Sequence, residues 1–235
     1  MQGIRGEIEP HAPLLDHPPD DQLLLKIMSI DNFRRSLLGG YLYFNRVDCY
    51  DDDPRDGDIS PKDRAFGRQQ SFASAPDWSM ADYYDQCRSR SYACCFSMEN
   101  SPAMWRAYGG PGDQASKIGL QISFGTLRRL MNGAVRAALD ANPGQVPQWR
   151  QLLSVNYGRV QYGDWATIQL TQRHFPNPVA PLFWKDGQRF AYEKELRVSL
   201  SAPGFGQFRA AEGQDFTFPS GLAYPFDLRA SIESR

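Results

Sequence analysis

The stretch Phe190 to Leu200, FAYEKELRVSL, places the tightest constraint on this chain. Glu193, Glu195 and Arg197 alternate with Lys194, Leu196 and Val198, and a period of two predicts a strand. In such a strand Glu193, Glu195 and Arg197 share one face, while Leu196, Val198 and Leu200 occupy the other, buried one. Two carboxylates on one face repel unless cations, solvent or a ligand neutralise them. Arg197 is the nearest cation, with Lys185 and Arg189 just upstream, and a carboxylate beside cations stays ionised at neutral pH. Taken alone, the same pattern also describes an exposed edge carrying a Glu/Arg ladder of modest worth.

With 235 residues the chain suits one domain with a sizeable core. Its 26 Lys+Arg against 27 Asp+Glu leave a formal charge of -1. No global field therefore recruits nucleic acid or an anionic membrane; a nucleic-acid partner is possible but not indicated by charge. No window approaches a membrane span, the acidic Pro-containing start does not read as a signal peptide, and a cytoplasmic protein is expected. Cys49, Cys87, Cys94 and Cys95 lack C-x-x-C spacing and read as reduced thiols.

Residues 1–21 hold four prolines and read as a loose N-terminal arm, followed by a single α+β domain over 22–235. Gln22 to Ile30 reads as a buried strand carrying Lys26. A short helix capped by Ser29 or Asp31 and stopped at Gly39–Gly40 follows, then a strand over Tyr41 to Val47. In the acidic turn Cys49 to Asp58, Asp52, Asp56, Gly57 and Asp63 fall at EF-hand positions. Pro54 removes a ligand and no flanking helices appear, so an Asx-rich turn is expected and no metal. Residues 60–90 read as an irregular excursion, a lid or a surface insertion, with a helix through Trp78 to Cys87. Further strands are expected over 91–97, 118–124 and 154–162, with helices over 103–108, 125–153 (broken near Pro143–Pro147) and 164–170; Leu127, Leu130, Met131, Val135 and Ala138 fit one apolar face of the helix that begins at 125. The glycine loop 109–116 matches no phosphate-cradle pattern. This irregular alternation predicts an α+β fold of mixed, mostly antiparallel twisted sheets with short flanking helices.

Two of the three histidines lie on the arm and no G-x-S-x-G elbow exists, so no Ser/His/Asp site is expected. Cys94 and Cys95 sit within an apolar strand, where thiols are usually inert. Carboxylates, arginines, lysines and aromatics remain as the carriers of chemistry.

Six blocks over residues 22–200 resemble the bacterial family catalogued as domain of unknown function 2971: QLLLKIMSI; DNFRRSLLGG; YLYFNRV with the D-P-x-D-G turn at Asp53 to Gly57; CCFSMENSPAMWRAYGG with GLQISF; VNYGRVQY; and FAYEKELRV. The pairing of F-S-x(6)-M-W-x-x-Y with Y-E-x-E-x-R is the most specific part. This chain has Leu25 and Lys26 where that family usually carries aromatic and arginine residues, and its F-N-D-P stretch is lengthened to FNRVDCYDDDP. More distantly, the layout is similar to that of ADP-ribosyltransferases, which implies a split β-sandwich. The resemblance implies NAD as substrate, cleavage of its nicotinamide–ribose bond and transfer of ADP-ribose to a macromolecular acceptor, in a bacterial toxin or phage-defence setting. It assigns Glu195 as catalytic with Glu193 orienting the acceptor, and Lys26, Tyr43, Trp105, Tyr108 and Arg197 to the dinucleotide. Two other readings stand beside it. One is a non-catalytic module binding a nucleotide or a protein in a defence system. The other is a nuclease-like site in which Asp51 to Asp58 meet Glu193 and Glu195 around magnesium.

Overall fold

The computed structural model describes residues 5–73, 75–109, 116–142, 144–170, 177–204, 208 and 216–233. Strand β1 (Leu23–Ser29) leads through helix α1 (Ile30–Gly39) into β2 (Tyr41–Arg46). Ser29 caps α1 by accepting the Asn32 N–H at 3.1 Å, and Gly40 closes it with φ 62°, a left-handed conformation glycine adopts without a Cβ penalty. The excursion over 60–90 is a small folded lobe made of α2 (Pro61–Gly67), the hairpin β3 (Ser71–Phe72) and β4 (Ala75–Ser79), and α3 (Met80–Arg88). A capping box between Ser79 and Asp82 starts α3, and Ile59, Met80, Ala81 and Tyr84 give the lobe its own apolar centre.

Next come β5 (Ser91–Ser97), α4 (Pro102–Gly109), β6 (Lys117–Ser123), α5 (Phe124–Asp140), α6 (Gln148–Leu152), β7 (Ser154–Arg159) and β8 (Gln161–Gly163). The chain ends with β9 (Trp184–Asp186), α7 (Gly187–Phe190), β10 (Glu195–Ser201), β11 (Gly221–Pro225) and α8 (Leu228–Glu233). The fold is α+β, and its main sheet is a twisted antiparallel half-barrel. Helix α5 buries Leu127, Met131, Val135 and Ala138, its expected apolar stripe, against the core face of that sheet.

Strand β5 is where the sheet divides. One edge of it pairs along its whole length with β10, from Glu195↔Ser97 to Ser201↔Ser91. The other edge meets β2 at Asn45↔Ala93 and Arg46↔Tyr92, and meets β1 only at Leu25↔Ser97. Strands β1 and β2 both run antiparallel to β5, so they are parallel to each other, and they splay apart between Ala93 and Ser97. Each carries a further partner outward, β6 on β1 and β11 on β2. In the gap the Cys95 carbonyl accepts a hydrogen bond from Lys26 Nζ at 3.1 Å. A backbone acceptor at a break in a ladder needs such a partner.

Four expectations are corrected. The stretch 190–200 is not one strand: Phe190 ends α7, residues 191–193 form a 3-10 turn, and Lys194 at φ 45° breaks the alternation before β10 begins. Nor is β10 an exposed edge, since it lies between β5 and β7 with every residue buried. The expected helix over 164–170 is a turn at 165–167: Asp164 accepts the Ala166 N–H on its carboxylate at 3.0 Å and the Ile168 N–H on its carbonyl at 2.8 Å, and the chain does not continue as helix over 168–170. The described part of the N-terminal segment is also held, not loose. The Gly6 N–H donates to Gln151 O (2.7 Å), the Val155 N–H to Glu7 O (3.0 Å) and the Glu9 N–H to Val155 O (2.8 Å). The glycine loop at 110–115, His174 and most of 205–215 lie outside the described residues.

The polar face of β10 needs small neighbours: Arg197 is flanked by Cys95 on β5 and Gly158 on β7. A Cβ on Gly158 would stand 2.9 Å from the Phe183 ring. Gly158→Ala is expected to destabilise the chain by about 1–3 kcal/mol through overpacking, read as a lower urea midpoint at unchanged slope.

Candidate functional site

Four chain segments bring charged side chains to one buried point. Strand β10 supplies Glu195 and Arg197. The turn before it supplies Glu193, and β9 supplies Lys185. The D-P-x-D-G turn after β2 supplies Asp56. That last turn is closed by the Asp56 N–H donating to Asp53 O (3.0 Å) and by Gly57 at φ 70°, and Arg88 Nε clamps Asp56 O at 2.7 Å. The start of β10 is fastened by Ser97 Oγ donating to Glu193 O (2.7 Å), the Met98 N–H donating to Lys194 O (2.9 Å) and the Glu195 N–H donating to the Tyr162 hydroxyl (2.9 Å). The left-handed Lys194 therefore turns Glu193 toward the same point that strand alternation was expected to give it.

Arg197 is 0% exposed. Its guanidinium forks between two carboxylates, with Nε donating to Glu195 Oε1 at 2.6 Å and Nη2 to Asp56 Oδ2 at 2.8 Å. Nη1 donates to the other Asp56 oxygen and, at 2.6 Å, to Leu182 O. Lys185 Nζ stands 2.8 Å from Glu193 Oε2, 3.0 Å from Glu195 Oε2 and 3.9 Å from Asp56 Oδ2. The Tyr108 hydroxyl donates to the remaining oxygen of Glu193. Three carboxylates thus share two cations in a dry interior, where a lone charge is costly and a paired, hydrogen-bonded one is tolerated.

The two glutamates respond oppositely. Burial alone would raise the pKa of Glu195, but Arg197 and Lys185 outweigh it and hold the carboxyl well below the usual carboxylate range. Burial raises Glu193 above its ordinary value; Lys185 opposes this only in part, and the charge of Glu195 adds to the rise. Burial works against the charge on Lys185, yet Glu195 and Asp56 hold it protonated. Cys95 on β5 is pushed far up by burial and by Glu195, so its thiol stays protonated and is no nucleophile.

Above this cluster, in the gap between the two wings of the sheet, lies a cavity of about 260 Å³. Its floor holds Glu195, Glu193, Asp56 and Lys185, its walls include Tyr43, Tyr50, Tyr108 and Phe190, and Lys26 reaches it from β1. Five of the seven expected site residues therefore converge: Glu195, Glu193, Lys26, Tyr43 and Tyr108. Arg197 lies beneath the floor and braces Glu195 and Asp56 rather than facing the cavity. Trp105 is not in the lining: its ring covers Gly119 on β6, and its Nε1 donates to Asn100 Oδ1 at 2.8 Å. Tyr50, Asn45 and Phe190 line the cavity although the sequence did not assign them there. Lys185 was named only as a cation upstream of the two glutamates, and Asp56 only within the acidic Asp51 to Asp58 turn that the nuclease reading used; here both join those glutamates through ion pairs.

The calcium pattern disperses in three dimensions. Asp63 accepts from Ser60 at the start of α2, while Asp56 is bound to Arg197. Among the described residues no group of three His, Cys, Asp or Glu side chains is arranged to hold a metal ion. The position between Asp56 and Glu195, where the nuclease reading would set magnesium, is filled by Arg197 and Lys185. Among the described residues no helix is long and apolar enough to cross a membrane. Compared with known proteins, the chain matches no family model, no curated protein and no solved structure.

Two outcomes follow from the cluster. Lys185→Met strands Glu193 and Glu195 without their shared cation and is expected to lower stability by roughly 3–5 kcal/mol in urea unfolding. A raised folded-state pKa means that Glu193 favours the protonated folded state, so its stabilising effect is present below the ordinary glutamate value and lost as pH rises through the folded value. Glu193→Gln, which cannot ionise, is therefore expected to gain stability relative to wild type as pH rises above the ordinary glutamate value, measured as melting temperature against pH.

Proposed function

We propose that the cavity cleaves the nicotinamide–ribose bond of NAD and passes ADP-ribose to an acceptor. The observation that carries this reading is an ionised carboxylate, Glu195, held rigidly by two buried cations at the floor of an aromatic-walled cavity in a split sheet. As the C–N bond breaks, its electron pair passes to the ring nitrogen and neutralises the pyridinium, leaving an oxocarbenium-like sugar. A carboxylate fixed in advance stabilises that cation more than it stabilises the ground state, because it need not reorganise. Tyr43 and Tyr108 supply ring faces for the leaving nicotinamide. Glu193, with its raised pKa and its bond to Tyr108, is placed to take the acceptor's proton as the acceptor's lone pair attacks the anomeric carbon.

One observation favours a second reading, a module that binds a nucleotide or a protein without turnover. Both oxygens of Glu195 are engaged, by Arg197 and by Lys185, and the residue is 2% exposed. A carboxylate so saturated could serve only to shape the cavity.

Incubation with NAD separates the two. The catalytic reading expects free nicotinamide from the wild type and a loss of about 10²–10³-fold in rate for Glu195→Gln, with NAD still raising the melting temperature of the variant. Stabilisation by NAD with no nicotinamide released from the wild type leaves the binding module. No stabilisation and no release overturns the catalytic reading and any module that binds NAD.

A further inference from the structure

The ion pairs at the floor of the cavity leave one buried carboxylate over. Arg197 and Lys185 engage Asp56, Glu193 and Glu195, and the ammonium of Lys26 is directed at the Cys95 carbonyl. Asp53 faces the same cavity and is 8% exposed, but it has no ion pair among the described residues. Its carboxylate accepts one long bond, from the Arg55 N–H at 3.3 Å to Oδ1. Asp52 adds a fifth carboxylate to the lining, against the ammonium groups of Lys26 and Lys185. Even with Arg197 counted beneath the floor, five carboxylates exceed three cations. A buried carboxylate normally has an ionic partner, and this one has only the Arg55 N–H, with Lys185 and Arg197 acting on it from beyond ion-pair distance.

The walls indicate what kind of partner fits. The half-exposed rings of Tyr43 and Tyr108 and the partly buried Tyr50 line the cavity with Asp53. A small inorganic ion wants several converging oxygens at short range. Aromatic faces attract a weakly hydrated organic cation through their quadrupoles. We infer that the cavity takes a flat organic cation of about one aromatic ring, with its charge set against Asp53 and its faces against Tyr43 and Tyr108. This deepens the proposed function, since it makes the pyridinium end of a dinucleotide the part that enters; it rests on that reading only in the choice of pyridinium. Burial and the neighbouring Asp56 also raise the pKa of Asp53, as expected for a carboxylate short of a counter-charge, and a bound cation would relieve this.

The test compares 1-methylnicotinamide, a permanent cation because its ring nitrogen is quaternised, with nicotinamide, its neutral counterpart of nearly the same shape, by calorimetry on the full chain. The cation is expected to bind at least about tenfold more tightly, a difference well within reach of one partly buried charge pair. Asp53→Asn keeps the bond from the Arg55 N–H and removes only the charge; it is expected to abolish the preference while leaving nicotinamide binding unchanged. Tyr43→Leu, at a half-exposed position, is expected to weaken the cation more than the neutral ring and serves as the second variant should Asp53→Asn fail to fold. Equal affinity for the two probes, binding of neither, or a preference unchanged in both variants overturns the inference. NAD cleavage is scored separately. Cation preference without cleavage defeats the catalytic reading alone; cleavage without cation preference defeats this inference alone.

Discussion

A guanidinium with no contact to water, forked between carboxylates from two distant parts of the chain, underlies everything else in this protein. Arg197 joins the late strand β10 to the turn after β2 through Glu195 and Asp56. Planar, always charged and rich in donors, arginine suits such a position better than lysine. Because the guanidinium is buried, its partners cannot be replaced by solvent, so the D-P-x-D-G turn and the strand must both be in place for the interior to be neutralised. Lys185 extends the same logic to Glu193. Since the cations are shared unequally, one glutamate is held ionised and the other is lifted toward protonation, although only one residue separates them in sequence. Two carboxylates with divergent acidities at the floor of one cavity are the arrangement that acid–base and cation-stabilising chemistry requires.

The packing around the cluster supports the same point from two sides. Leu196, Val198 and Leu200 fill the core face of β10 with the aromatic and aliphatic side chains of β5, β7 and α5. On the polar face, Val47, Ala93, Val179, Leu182 and Phe183 form a smaller apolar shell that excludes water from the ion pairs. Low polarity strengthens each charge pair and raises the penalty for leaving any charge alone. The cluster's geometry and its dryness therefore reinforce each other.

Much of the fold was legible because periodicity and punctuation carried it. The period of two over 196–200, the apolar stripe of α5, Ser29 as a cap and Gly40 as a stop each act locally and appear where expected. What escaped was set by long-range hydrogen bonding. Residues 5–9 have no periodicity, yet their backbone bonds to 151–155 hold them, and the Glu9 carboxylate pairs with Arg128 Nε at 2.7 Å. Part of the site was legible too: Glu195, Glu193, Lys26, Tyr43 and Tyr108 converge on one cavity. Trp105 was misplaced because helical spacing does not say which neighbour a ring will cover. Asp56 and Lys185 were noticed without their roles, because nothing local in a turn or a three-residue strand announces a partner more than a hundred residues away, or a charge network closed only by the fold. Arg197 was expected beside the glutamates and does pair with Glu195, but its second carboxylate, Asp56, is 141 residues away and has no local signature.

The division of the sheet at β5 has one further consequence. Strands β1 and β2 are joined by α1 and grip β5 at only a few residues, one on each side of Cys95 or nearly so. The two arms behave like the jaws of a caliper whose opening is set by a helix of ten residues. The charged floor hangs from the opposite edge of β5 except for Asp56, which the turn after β2 carries into it. Opening the jaws on the β2 side therefore pulls on the Arg197–Asp56 pair, so a change in the aperture offered to a visiting molecule is felt by the ionised machinery below it, and reach and reactivity in this architecture are tied together.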